Sequence, residues 1–103
     1  MSDYINVALA NEIQDNEVKA FLVGEHQICI ARIGEGYFAF NEICSHQYAS
    51  LVEGWLEDYT IECPMHGAQF DVRTGEALSL PAVENMKTHK VEIRGDDIFV
   101  KLD

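Results

Sequence analysis

Short apolar runs separated by Gly- and Asp-bearing turns recur along most of this chain, and helical spacing of apolar residues is weak. Val18-Lys19-Ala20-Phe21-Leu22-Val23 is followed by Gly24-Glu25-His26 and then by Gln27-Ile28-Cys29-Ile30-Ala31-Arg32-Ile33. Gly34-Glu35-Gly36 turns the chain into Tyr37-Phe38-Ala39-Phe40. Further on come Gln69-Phe70-Asp71-Val72, a turn over Arg73-Thr74-Gly75-Glu76, and Ala77-Leu78-Ser79-Leu80. The chain closes with Lys90-Val91-Glu92-Ile93-Arg94, a turn at Gly95-Asp96-Asp97, and Ile98-Phe99-Val100-Lys101-Leu102. Branched and aromatic residues at this spacing predict a small all-β sandwich or barrel. At most one helical turn is expected near Asn11 to Gln14 or Ala82 to Asn85.

One segment breaks the rhythm. From about Ile43 to Phe70 only Tyr59-Thr60-Ile61-Glu62-Cys63 reads as a strand, and the rest reads as loop. A loop-rich insert in a small β domain is where function concentrates.

The 103 residues suffice for one domain, 1–103, with a modest core. The net charge of -11 argues against nucleic acid and against an anionic membrane surface as partners, since both require clustered Lys and Arg. Solubility alone would account for the charge, but its distribution says more. Between Arg32 and Arg73 there is no Lys or Arg, while Glu35, Glu42, Glu53, Glu57, Asp58, Glu62 and Asp71 all fall there. No apolar run reaches the length of a membrane span, and the start has no basic segment followed by an apolar one. Three cysteines do not suggest a disulfide framework, so thiols acting as ligands or core residues in the cytoplasm are expected.

The acidic interval holds two Cys–His pairs, Cys44-Ser45-His46 and Cys63-Pro64-Met65-His66. Structural zinc sites separate paired ligands by two to four residues, a spacing that Cys63 and His66 meet and Cys44 and His46 do not. With one residue between them in an extended segment, Cys44 and His46 point the same way side by side. That suits two neighbouring metal atoms better than one. A two-iron, two-sulfide centre has the matching demand, two thiolates on one iron and two imidazoles on the other.

C-x-H, a gap of sixteen residues, and then C-P-x-H-G resembles the Rieske signature, and Phe70-Asp71 and Thr74-Gly75 extend the resemblance. It is strongest from Asn41 to Pro81. It implies a Rieske-type antiparallel β sandwich with a cluster-binding subdomain over residues 43–71. It further implies one 2Fe-2S cluster with Cys44, His46, Cys63 and His66 as cofactor and metal ligands, and no catalytic residue. Two ferric ions, two sulfides and two thiolates sum to zero charge, so adding an electron costs less than in an all-Cys centre. Reduction is expected to couple to proton uptake on imidazole at high pH.

Respiratory Rieske proteins carry a disulfide where this chain has Ala49 and Met65, and a Ser and a Tyr where it has Ala68 and Phe70. Each missing O–H donor removes stabilisation of the reduced centre, which implies a potential at the low end of the Rieske range. These departures resemble the Rieske ferredoxins of bacterial aromatic-ring-hydroxylating dioxygenase systems. Such a ferredoxin carries single electrons from an NAD(P)H-dependent flavin reductase to a terminal oxygenase, here as a cytoplasmic monomer. Gln47-Tyr48 departs from relatives that have glycine nearby, so a different path for the first loop is expected, and two placements of Tyr48 stay open, over the cluster or on a docking surface.

Two other readings fit the same residues. One is a Rieske-like small subunit of another oxidoreductase, such as assimilatory nitrite reductase; the other is a zinc-stabilised module with no redox role. Outside the two pairs, Cys29 reads as core, His26 and His89 as surface histidines, and Met65 and Trp55 as packing residues. Pro81 resembles the proline loop that covers the centre in relatives, and Glu57-Asp58 reads as a turn tip.

Overall fold

Ile28, Cys29, Ile30 and Ala31 are buried without interruption, although they alternate between the two faces of one strand. The computed structural model describes residues 4–42, 50–64, 67–78 and 85–102. Among these the strands are β1 (Ile5–Leu9), β2 (Glu17–Val23), β3 (His26–Ile33), β4 (Gly36–Asn41), β5 (Trp55–Glu57), β6 (Thr60–Glu62), β7 (Gln69–Asp71), β8 (Thr88–Arg94) and β9 (Asp97–Lys101). They form a six-stranded sheet, order β1-β9-β8-β4-β3-β2, and a three-stranded sheet, order β5-β6-β7. Every pairing is antiparallel. The all-β class is as expected.

Strands β3 and β4 form a wall with an apolar core on each side. Cys29, Ala31 and Phe40 face the first core, with Leu51, Ile61, Cys63, Ala68, Phe70, Val72 and Met86. Ile28, Ile30 and Ala39 face the second, with Ala8, Ile13, Val23, Ile98 and Val100. A strand covered on both faces has no polar side to show, which accounts for the unbroken apolar run. Strand β8 turns the sheet around the second core. Thr88 and His89 pair with Phe40 and Ala39 of β4, whereas Lys90 to Arg94 pair with β9. By changing partner midway, β8 lets β1 and β9 close over the inner face of β3. Each fully buried large side chain, such as Phe40 or Phe70, contributes roughly 1.5–3 kcal/mol of transfer free energy.

Several expectations need correction. Strand β1 was not expected; its register slips between Asn6 and Ala8, and that irregularity destroys the alternation that marks a strand. Strand β5 lies in the segment read as loop, because three residues are too few to display a period. The strand expected over Tyr59 to Cys63 is shorter, Thr60–Glu62, so Cys63 has left it. Of the run Ala77 to Leu80, Ala77 bridges Phe70 and the Leu78 N–H donates to the Gln69 carbonyl at 2.8 Å, while Ser79 and Leu80 lie outside the described residues. The helical turn expected over Asn11 to Gln14 is a short 3-10 turn at Ala10–Glu12, another stands at Leu51–Glu53, and of the alternative Ala82 to Asn85 only Asn85 is among the described residues.

Candidate metal centre

Cys63 follows directly on β6 and is fully buried in the first core. Its backbone N–H donates to the Ala68 carbonyl at 2.7 Å, and its carbonyl accepts from the Gly67 N–H at 3.1 Å. These two bonds bring Gly67 and Ala68 back onto Cys63. Gly67 makes the closure possible with φ of 70°, a left-handed conformation that costs glycine little. His66 stands between Cys63 and Gly67 in sequence but lies outside the described residues, as do Cys44, His46, Gln47, Tyr48, Ala49, Met65 and Pro81.

The two ends of the first Cys–His segment are nevertheless described. Glu42 follows β4, and its carbonyl accepts from the Leu51 N–H at 2.7 Å, pinning the start of the segment to its end. The Ser50 hydroxyl donates to the Glu42 carboxylate at 2.6 Å and accepts from the Val52 N–H at 3.3 Å. Gly54 holds the next turn close to the small sheet, since a Cβ there would collide with the Glu62 carbonyl. A third anchor lies beyond β7. The Met86 N–H donates to the Gly75 carbonyl at 2.7 Å, and the Ala77 N–H to the Asn85 side chain at 3.0 Å. Leu51, Cys63, Ala68 and Met86, one or more from each anchor, all belong to the first core. Three loop roots thus converge on one apolar surface.

This arrangement fits the group implied by the signature. The donor set that the signature implies is two thiols and two imidazoles, and its one described member, Cys63, is a thiol shielded from water directly after a strand. Ala68 and Phe70, whose side chains carry no hydroxyl, are fully buried in the same core as Cys63. No group of three or more His, Cys, Asp or Glu residues is gathered for a metal among the described residues.

Electrostatics around the small sheet are one-sided. Glu62 accepts from the Gln69 side-chain amide at 3.0 Å, and Asp71 is held by Arg73 at 2.9 Å. The Arg73 side chain keeps the Asp71 carboxyl below the ordinary carboxylate range, outweighing the partial burial that opposes it. The same guanidinium lies over the Tyr59 ring at 4.2 Å. On the wall, burial, with a smaller contribution from Glu42, pushes the Cys29 thiol far above the ordinary thiol range. Cys29 is core, as its sequence context implied.

Two residues depart from their sequence reading. His89 is buried, 9% exposed, where a surface histidine was expected. Its Nε2 lies 2.8 Å from Asn41 Oδ1, and because a carbonyl oxygen only accepts, that nitrogen carries the proton of the bond. Trp55 is 60% exposed where packing was expected. His26 is exposed, as read. Sequence reasoning also missed the Ser50–Glu42 anchor, although Ser50-Leu51-Val52-Glu53 has the S-x-x-E spacing of a helix start.

The Rieske [2Fe-2S] domain model matches residues 3–90 of this chain. The chain is 46% identical over 76 residues to the 3-phenylpropionate/cinnamic acid dioxygenase ferredoxin subunit of Escherichia coli (strain K12), covering 73% of this chain and 72% of that one. Among solved structures, the ferredoxin of carbazole 1,9a-dioxygenase from Nocardioides aromaticivorans IC177 superposes with a TM-score of 0.94 at 32% identity, over 99% of this chain and 100% of the other. The complex of reduced oxygenase and oxidized ferredoxin in carbazole 1,9a-dioxygenase matches with a TM-score of 0.90 at 30% identity, over 98% and 94%.

Proposed function

The chain belongs to the Rieske [2Fe-2S] family, and on that premise we propose that Cys44 and Cys63 hold one iron of its cluster and His46 and His66 the other. It is a Rieske ferredoxin of an aromatic-ring-hydroxylating dioxygenase system, an electron-transfer component and not a catalyst by itself. The convergence of three loop roots, one ending in buried Cys63, on a single apolar core carries the ligand assignment.

When bound, the cluster supplies a one-electron couple. The protein's residues do the rest. Cys63 presents its sulfur from a loop that the Gly67 and Ala68 bonds hold still, so ligation meets a preorganised donor. Leu51, Ala68 and Phe70 exclude water from the sulfur side. Ala68 and Phe70 donate no hydroxyl hydrogen bond, which keeps the potential at the low end of the Rieske range. As ligands of the second iron, His46 and His66 would offer imidazole edges through which an electron would leave.

The donor in this reading is an NAD(P)H-dependent flavin reductase, the acceptor a terminal oxygenase, and the setting the cytoplasm, with the ferredoxin as a single-domain monomer. No helix among the described residues is long and apolar enough to cross a membrane. The acidic interval between Arg32 and Arg73 favours partners with basic docking faces, so transfer rates fall as salt rises. The test is metal and sulfide analysis, with absorption and EPR spectra of the dithionite-reduced protein. Two irons and two acid-labile sulfides per chain with a Rieske-type signal are expected. One zinc and no sulfide, or an EPR-silent protein after reconstitution, would overturn the reading. His46→Cys is expected to lower the potential, and an unchanged potential would remove His46 from the ligand set.

A further inference from the structure

The three-stranded sheet gives Leu56, Ile61 and Phe70 to the first core and shows its other face to solvent. On that outer face two rows cross the strands. Trp55, Glu62 and Gln69 stand opposite one another in the first row, and Glu57, Thr60 and Asp71 in the second. Ala77 bridges Phe70 and leans on the core, so Leu78, opposite Gln69, extends the first row outward. The row therefore ends in two exposed apolar residues, Trp55 at 60% and Leu78 at 47%, with Glu62 and Gln69 between them. A groove of about 220 Å³ runs through this face, lined by Trp55, Glu57, Asp58, Thr60, Glu62 and Gln69.

The groove combines an indole with three carboxylates, and the cation nearest in sequence, Arg73, is already engaged with Asp71 and Tyr59. An aromatic face beside carboxylates is the chemistry that receives a guanidinium, by stacking on the ring and by charged hydrogen bonds. Glu62 immediately precedes Cys63, so an occupant of the groove sits next to the root of the second ligand loop.

We propose that the outer face of β5, β6 and β7, centred on Trp55, is a docking surface for an arginine-bearing segment of the terminal oxygenase. This rests on the electron-carrier reading and adds the face, the anchor residue and the chemistry of what it receives. Trp55 supplies the apolar anchor, Glu57 and Asp58 select for positive charge, and Leu78 stands exposed at the other end of the row. Tryptophan is among the residue types on which binding energy concentrates once a partner covers it.

The experiment compares Trp55→Ala and a Glu57→Gln, Asp58→Asn double variant with the wild type, all carrying the cluster as judged by absorption and EPR. The oxygenase component of the Escherichia coli (strain K12) 3-phenylpropionate/cinnamic acid dioxygenase serves as acceptor. For Trp55→Ala, about a tenfold rise in the ferredoxin concentration needed for half-maximal oxygenase reduction is expected. The double variant should show a flatter salt dependence. Reduction of ferricyanide and the rate of reduction by dithionite should not change. Leu22→Ala, at a 70% exposed apolar position on β2, serves as the control and should match the wild type. Because Trp55 is the sole tryptophan of the chain, 5-fluorotryptophan labelling gives one ¹⁹F resonance that should shift when oxygenase is added.

Wild-type transfer with unaffected variants and an unmoved resonance overturns the docking face and leaves the carrier role standing. A loss confined to reduction by a flavin reductase overturns the oxygenase as occupant. A wild-type protein that carries a Rieske cluster yet does not reduce the oxygenase overturns the partner assignment and this occupant together.

Discussion

Cys29 and Cys63 border the same apolar core, and both are fully buried, yet the fold places them in opposite situations. Cys29 lies mid-strand on the wall, paired in register with Ala20 on one side and Phe40 on the other. Its backbone is committed to two ladders, and burial holds its thiol in the neutral form, unsuited to ligating a metal. Cys63 stands one residue past the end of β6, where Gly67 and Ala68 fold the chain back. A metal that needs several donors must collect them from segments free of pairing, and a loop root supplies this where a central strand does not. Burial and apolar surroundings therefore do not separate the proposed ligand Cys63 from the core residue Cys29; position relative to strand ends does.

The sharpest way to break this comparison is to remove each thiol in turn. Cys63→Ser is expected to abolish the visible absorption and EPR signal. Cys29→Ala is expected to keep the full complement of iron and sulfide and to lose about 1 kcal/mol in urea unfolding. Equal cluster loss in both would erase the distinction.

Loop closure is the next term. Gly67→Ala meets no atom within 4 Å, so its cost is the left-handed backbone alone, roughly 1–2 kcal/mol. Gly54 has φ of -80° and no left-handed cost, but a Cβ there collides with the Glu62 carbonyl, so Gly54→Ala is expected to destabilise more. Denaturation midpoints of the two variants give the order, and the reverse order would mean that loop closure is governed by something other than these two contacts.

The smallest effect belongs to the exposed edge of the small sheet. Asp71 titrates below its ordinary range because Arg73 binds its charged form, so its unfolded-state pKa is the higher of the two. The pair adds stability above the ordinary carboxylate range and loses it as pH falls through the depressed value. Asp71→Asn should lower the melting temperature slightly at neutral pH and leave it equal to the wild type in strong acid. Half-exposed Arg73 keeps the difference small.

Local pattern was enough for the strands with unbroken β character, such as β3 and β9, and for the spacing of the two Cys–His pairs. It also placed Cys29 in the core, since an apolar strand flanked by isoleucines leaves a thiol nowhere else to go. It failed for β1, whose irregular pairing hides the period, and for β5, whose three residues display none.

The order of residues alone determined which segments could be strands, which side chains could bind soft metals and where positive charge is missing, because each depends on neighbours within a few positions. Only the tertiary structure decided that β3 and β4 have a core on both faces, that His89 is buried against Asn41 at the turn of β8, and that Trp55 stands in solvent beside three carboxylates. Those outcomes depend on which distant strand covers which face. Alternation along a strand names two faces without saying what either will meet.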